Sequence, residues 1–420
     1  MDVISVSALG AIVALIISIT LIIKKIHPAY ALILGALIGG LVGGVSLVNT
    51  VNFMMDGAKG MITAILRILT AGVLAGVLIE SGAAIKIAET IVSKIGQQRA
   101  LIALAIATML LTMVGVFIDV AVITVSPIAI AIAKKANLSK PAILLAMIGG
   151  GKAGNLMSPN PNAIVASENL QVPLTSLMIA GIIPAIFGVI VTCMLAKWID
   201  KKGVKIQNIE GEEKESKELP SFIAAISGPI ITIILLMLRP IAGIVIDPLI
   251  ALPVGGIIGA IIMGKGKQIS NYAVVGLNKM SGVAILLLGT GTLAGIISNS
   301  QLKDLIINGV DKVGLPSILL APIAGILMSA ATASTTSGTA VGTSVFGPTI
   351  LELGIPGLNA AAMIHSGATV LDHLPHGSFF HATGGSVGME IKERLKLIPY
   401  ESLIGLVMTI VSTIVFGVIL

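Results

Sequence analysis

The chain has 420 residues, 55% of them hydrophobic and only 11% charged, with a formal net charge of +6 and a mean hydropathy of +1.06. That much apolar surface cannot be hidden in a water-soluble core, so the solvent is lipid and soluble enzymes are excluded as a class. The basic balance does not signal a nucleic-acid partner, because Lys and Arg fall in short loops between apolar spans, where they set orientation; the single cysteine, Cys193, excludes an internal disulfide or a cysteine-based metal site.

Apolar stretches long enough to cross ~30 Å of hydrocarbon recur along the whole chain. The first, 3–23, follows Asp2 and precedes Lys24 and Lys25, which inverts the charge order of a cleavable signal peptide. It predicts a retained helix with its N-terminus outside. Next come spans over 28–48 and 61–80, an amphipathic stretch 83–95, a re-entrant hairpin 100–133, a broken helix 141–168 and a last span 174–199. The hairpin is predicted because 100–133 is too long for one crossing and is broken by polar, Pro-containing sequence; one kinked helix is the alternative. A polar run, KKGVKIQNIEGEEKESKELP, then separates the halves. The second half repeats the order over 221–238, 249–263, 282–299, 301–313, 316–353, 356–386 and 399–420.

Residue matches support a repeat of 1–200 and 221–420 joined by a cytoplasmic linker, 201–220. Gly72, Leu74, Ala75, Gly76 and Ser81 reappear 219 positions on as Gly291, Leu293, Ala294, Gly295 and Ser300. Met147, Gly151 and Pro159 reappear 216 positions on as Met363, Gly367 and Pro375. Each half crosses an odd number of times, so the second lies upside down. That topology puts most Lys and Arg on one face, including the end cluster Lys392, Arg394 and Lys396. It leaves Lys59, Arg239, Lys303 and Lys312 outside and Arg67 and Lys152 within spans. The fold class expected is an all-α polytopic membrane protein of two inverted repeats, in a bacterial-type inner membrane with both termini outside.

Inverted repeats with interrupted helices are the usual construction of secondary transporters, with the site at the interruptions. Here these are GGGKAGNLMSPNPNAIVAS at 149–167, ATASTTSGTAVGTS at 331–344 and HSGATVLDHLPHGSFFHATGG at 365–385. Helices beginning after Pro161 and within the Thr and Ser run would aim free N–H groups and positive dipole ends at a carboxylate. The plainer reading is that small and hydroxyl residues let helices pack closely.

These segments, SPNPNAIVA, ATASTTSGTAVGTSVFGP and SGATVLDHLPHGSFF, resemble the gluconate:proton symporter family, within the wider ion-transporter superfamily, and the similarity runs over nearly the whole chain. The resemblance implies a homodimer, a scaffold holding a mobile transport region with the hairpins, elevator-like movement, and a sugar acid or related hydroxy acid as substrate. Carried over by position, it points to Ser158, Asn160 and Asn162 at the first break, Thr335, Thr336 and Ser337 in the second hairpin, and Asp372 and His373 at the second break. Asn160 stands where the family carries a histidine, and Lys152 and His376 are atypical.

Buried ionisable residues cost ~2.5 kcal/mol or more at the bilayer centre unless paired or facing water. Asp119, at the turn of the first hairpin, has no neighbouring charge in sequence, and at an offset of 218 its counterpart is Ser337. It is the expected proton-coupling group; a helix N-cap is the plainer role. Lys152 is expected to pair with Asp119 or to stand as a fixed cation opposite a substrate carboxylate, unless it only snorkels. Asp372, His373, His376 and His381 could be written as metal ligands of a divalent-metal transporter or a membrane metalloenzyme, but Pro375 and Gly377 break the helix that would align them, and no second carboxylate cluster supports catalysis. The expectation is therefore a carrier that is not an enzyme and needs no cofactor. It would take a small organic anion with a proton, with sodium in place of the proton still open.

Overall fold

The computed structural model describes residues 5–201, 218–313 and 316–419, so most of the linker lies outside the described residues. Every regular element among them is helical, and the only β pairing is an isolated bridge between Val6 and Ser300. Some helices begin where an apolar, Ala- and Gly-rich run meets a capping hydroxyl. Ser7 Oγ accepts from the Gly10 N–H ahead of Ala8–Ile23, and Ser221 Oγ accepts from Ala224 N–H ahead of Phe222–Ala242. Among the described residues, five stretches are long and apolar enough to cross a membrane: Ile62–Glu80, Leu174–Asp200, Phe222–Ala242, Gly266–Ser298 and Ile391–Ile419.

The order of elements in the two halves matches. Ala8–Ile23 and Pro28–Val42 correspond to Phe222–Ala242 and Pro248–Ile262, and the amphipathic Ala83–Ile95 to Leu302–Val313. Two expected spans differ in extent. The stretch predicted over 28–48 stops at Val42, because Ser46 Oγ caps a separate helix, Leu47–Gly60, whose polar VNTVNFMMDGAKG hid it among the apolar runs. The stretch predicted over 282–299 is the C-terminal part of Ile269–Ser298, a 30-residue helix.

The kinked-helix alternative for 100–133 is overturned. Ala100–Met113 and Ile118–Ala136 are separate helices packed together, joined by a turn in which Gly115 adopts φ +102°, a conformation that favours glycine. The second hairpin runs Leu320–Thr332, turns at Ala333 and Ser334, and returns from Thr335 through Glu352. The broken helices are Lys140–Leu156 with Pro161–Asn169, and Gly357–Gly367 with Ser378–Ser386.

Packing sorts these elements into two groups. In one, Ile269–Ser298 lies against Pro28–Val42, Leu47–Gly60 and Ile62–Glu80, while Phe222–Ala242 and Pro248–Ile262 pack together. In the other, the hairpins and broken helices pack with Ile182–Asp200 and Ile398–Ile414. The first group is held by backbone contact. A methyl on Gly276 would sit 1.8 Å from Gly72 O, and one on Gly57 would sit 2.1 Å from Gly291 O. Likewise a methyl on Gly76 would meet Tyr272 O at 2.0 Å, and one on Gly295 would meet Phe53 O at 2.0 Å. Adding 219 to Gly57, Phe53, Gly72 and Gly76 gives Gly276, Tyr272, Gly291 and Gly295. Each crossing is thus the other with the halves exchanged, and only small residues allow it.

Candidate functional site

Four helices begin at one place. The N-terminal residues of Ile118–Ala136, Pro161–Asn169, Thr335–Val341 and Ser378–Ser386 line a cavity of about 170 Å³, to which the breaks add Asn155 and Asp372. Its wall repeats at an offset of 217. Phe117, Ile118, Asp119, Asn155 and Asn162 are matched by Ser334, Thr335, Thr336, Asp372 and Phe379, and all ten line it. By helix start, then, the counterpart of Asp119 is Thr336 rather than Ser337.

Each helix start leaves backbone N–H groups without partners in the helix, and each end carries roughly +0.5 of an elementary charge. Some of these donors are capped locally: Asn160 Oδ1 accepts from Ala163 N–H at 3.0 Å, and Ser334 Oγ from Ser337 N–H at 3.2 Å. Thr336 Oγ1 donates to Asn162 Oδ1 at 2.6 Å, tying the second hairpin to the first broken helix.

Asp372 is the charged centre of the second break. Its Oδ1 accepts from Lys152 Nζ at 2.6 Å and its Oδ2 from Thr335 Oγ1 at 2.6 Å. Lys152, fully buried on Lys140–Leu156, spends its three donors on Asp372, the carbonyl of Thr369 at 2.6 Å and His373 Nδ1 at 3.0 Å. His373 Nδ1 lies 3.0 Å from both Lys152 Nζ and Asp372 Oδ1, and its Nε2 faces the carbonyl of Ile398 at 3.1 Å and Ser402 Oγ at 3.2 Å. Asp372 is therefore neutralised from behind, and the cavity sees its carboxylate through a filled set of bonds.

Asp119 differs. It is half-buried, lines the cavity and has no hydrogen bond or ion pair among the described residues. The expected pairing with Lys152 is not made, because Asp372 holds that ammonium, and Lys152 does not line the cavity. Neither is Asp119 an N-cap: Phe117 holds that position and Asp119 is the second helical residue.

Of the other expected site residues, Asn162, Thr335, Thr336 and Asp372 come together in the wall. Ser158, Asn160, Ser337 and His373 do not reach it. Asn160 caps Pro161–Asn169 and donates to Asn155 O and Oδ1 at 2.7 and 2.6 Å; Ser158 Oγ is buried without a hydrogen-bond partner among the described residues. His376 and His381 each face a backbone carbonyl, of Ala331 and Pro375.

Sequence reasoning missed Asn155, although the 217 offset from Asp372 identifies it. It also missed a second buried ion pair. Arg394, expected among loop cations, is 1% exposed, bonded to Glu401 and stacked 4.9 Å from the ring centre of Phe380. Glu401 Oε2 lies 4.0 Å from His373 Nδ1, so two buried ion pairs back the second break.

A third charged cluster joins the packing groups. Arg67 on Ile62–Glu80 bonds both oxygens of Asp247, at 2.9 and 2.6 Å, and pairs with Glu168 on Pro161–Asn169. Burial acts to raise the Asp247 carboxyl, but the Arg67 and Leu249 N–H hydrogen bonds and the Arg67 charge outweigh it and leave it below its ordinary value of 3.8.

Residues 3–419 match the description of the GntP family permeases. An uncharacterized transporter of Haemophilus influenzae is 64% identical over 99% of both chains. The gluconate permease of Pseudomonas aeruginosa is 23% identical over 89% of this chain and 88% of its own length. The D-serine transporter DsdX of Escherichia coli K12 is 22% identical over 81% and 83%. Among solved structures, the YdaH transporter of Alcanivorax borkumensis, described as having an unusual topology, superposes with a TM-score of 0.66 at 16% identity over 88% of each chain. That likeness speaks to the fold.

Proposed function

The chain belongs to the GntP permease family, and as a transporter of that family it is an integral membrane protein and not an enzyme; from that premise we propose that it carries a small hydroxy-carboxylate inward together with a proton. The observation that supports this most is the convergence of four helix starts on one cavity. Their ends amount to roughly +2 at the formal limit, against the single uncompensated carboxylate of Asp119. An anion is favoured, and the hydroxyl and amide groups of Thr335, Thr336, Asn155 and Asn162 suit its hydroxyls. A cavity of about 170 Å³ is small beside the ~300 Å³ at which drug-sized sites begin, which fits a compact acid.

Coupling is assigned to Asp119. Two like charges ~6–8 Å apart at an effective dielectric of ~20 repel by about 2–3 kcal/mol. Protonating Asp119 removes that repulsion, so proton and substrate each strengthen the other's binding by roughly 30- to 150-fold. Movement is assigned to the group holding the hairpins and broken helices, sliding against the other in the elevator manner. The exchanged glycine crossings support two inverted halves, with the N-terminus outside, the linker cytoplasmic and the C-terminus outside. The resemblance to the family adds a second copy of the chain as partner.

A second reading rests on the same residue. An unpaired carboxylate in the wall suits the ammonium group of a small hydroxy amino acid, and one relative carries D-serine. Melting temperatures of purified protein with gluconate, glycerate, 3-hydroxybutyrate and D-serine separate the classes, since a ligand of the folded state raises the midpoint. Asp119→Asn in proteoliposomes then decides the coupling. The variant is expected to bind and exchange a hydroxy acid with affinity insensitive to pH between about 5 and 8, yet not to accumulate it under an imposed proton gradient. Accumulation driven by a pH step would overturn the assignment, accumulation driven only by Na⁺ would move it to sodium, and loss of D-serine binding alone would favour the ammonium reading.

A further inference from the structure

A second cavity, of about 740 Å³, lies at the far end of the first hairpin from Asp119, where Ala100–Met113, Ile118–Ala136 and Ile182–Asp200 meet. Its floor is apolar, with Leu101, Ile102, Leu138 and Met194. Its rim carries three exposed cations, Arg99, Lys135 and Lys197, none with a carboxylate partner among the described residues. The one acid in its wall, Asp200, is committed elsewhere and accepts from the Ser139 N–H at 2.7 Å. We propose that this groove holds an anionic phospholipid, with the phosphate among the three cations and an acyl chain along the floor.

Two further observations and one general rule support that occupant. Trp198, next to Lys197, packs against Tyr400 with ring centres 5.6 Å apart and is 44% exposed. Such aromatic residues settle at headgroup depth, which puts the cations level with lipid phosphates. Basic pockets between helices on the cytoplasmic side suit phospholipid headgroups, and the cytoplasmic placement, though not the chemistry, rests on the topology proposed above. The equivalent positions in the other half, 217 residues on, are Pro316, Glu352 and Ile414. The basic rim is therefore not a by-product of the repeat. Because two of the three walls belong to the hairpin that carries Asp119, a lipid held here bears on a wall of the transport cavity.

The test is native mass spectrometry of delipidated protein titrated with phosphatidylglycerol or phosphatidylcholine of the same acyl chains. The intact protein is expected to prefer phosphatidylglycerol, and the preference should fall about fivefold for each cation removed in Arg99→Gln, Lys135→Gln and Lys197→Gln. Lys24→Gln with Lys25→Gln, in another basic loop, should leave it unchanged. Soluble glycerol phosphate should not compete, since it lacks the chain that fills the floor. The proposal is overturned by equal binding of the two lipids, by a preference that survives the triple variant, or by competition from glycerol phosphate. It is also overturned if mild oxidation in membranes links two chains through Cys193, which sits in the groove wall, because a second copy would then fill it. None of these readouts depends on Asp119 or on transport, so a failure here is separate from a failure of the proposed function.

Discussion

Asp119 and Thr336 occupy the same place in two hairpins 217 residues apart: each is the second residue of a helix that begins at the cavity wall. One is a carboxylate and the other a hydroxyl. The opposite substitution runs through the breaks, where Asn155 in the first half meets Asp372 in the second. The cavity thus holds one carboxylate from each half, of which only Asp372 is tied to a buried lysine. A symmetric frame gives the site its shape, and unequal charges give its two carboxylates different tasks.

Thr336 and Asn160 should separate binding from stability. Thr336→Ala removes a hydroxyl from the wall and is expected to weaken binding of the best hydroxy acid in the melting panel about tenfold or more, as loss of a hydrogen bond to a charged group of ~1.5–3 kcal/mol implies. Asn160→Ala removes a helix cap and the donor that holds Asn155 in the wall, so it should lower stability by about 1 kcal/mol or more and, acting only through Asn155, weaken binding less than Thr336→Ala does. Calorimetric titration alongside thermal melts reads both; a large affinity loss in Asn160→Ala with an unaltered melt would put that side chain on the substrate.

Lys152→Met strands the Asp372 carboxylate in the interior and is expected to cost about 3–5 kcal/mol. Removing both partners, as Lys152→Met with Asp372→Leu, should recover much of that loss while transport stays absent. A double variant as unstable as the single would mean that the pair is not what Lys152 stabilises.

Asp247 predicts an acid limit. Its carboxyl is held below 3.8 in the folded protein, so its stabilising contribution is fully present above that value and is lost as pH falls through the lowered one. Melting temperature should therefore drop more steeply below about pH 4 in the intact protein than in Asp247→Asn. Parallel curves for the two proteins would remove Asp247 from the account.

What the sequence disclosed depended on how far apart the interacting residues lie. The interrupted segments around Pro161 and Thr335 were legible because polar residues cannot continue an apolar run unnoticed; within them, Asn162, Thr335, Thr336 and Asp372 were pointed to by the family resemblance. Of the two roles expected for Lys152, the pairing with Asp119 is not made, because its carboxylate partner stands 220 residues away and only the folded chain brings them together. Arg394 read as a loop cation because KERLK looks like an interface signal, whereas the turn of helix carrying it folds back on Glu401. Asn155 lay in GKAGN among residues that only looked small. The Asp247 contact of Arg67 likewise bridges 180 residues and leaves no local trace.

The exchanged glycine crossings bear on how the protein is made. Gly72 closes on Gly276, some 200 residues later in the chain, and at about 5–20 residues per second synthesis takes roughly 10 to 40 s to reach it. During that interval Ile62–Glu80 lacks the helix that closes on its glycines. The first half can pack its own hairpin against its broken helix and its first two spans against each other, but the two crossings close only when Ile269–Ser298 arrives.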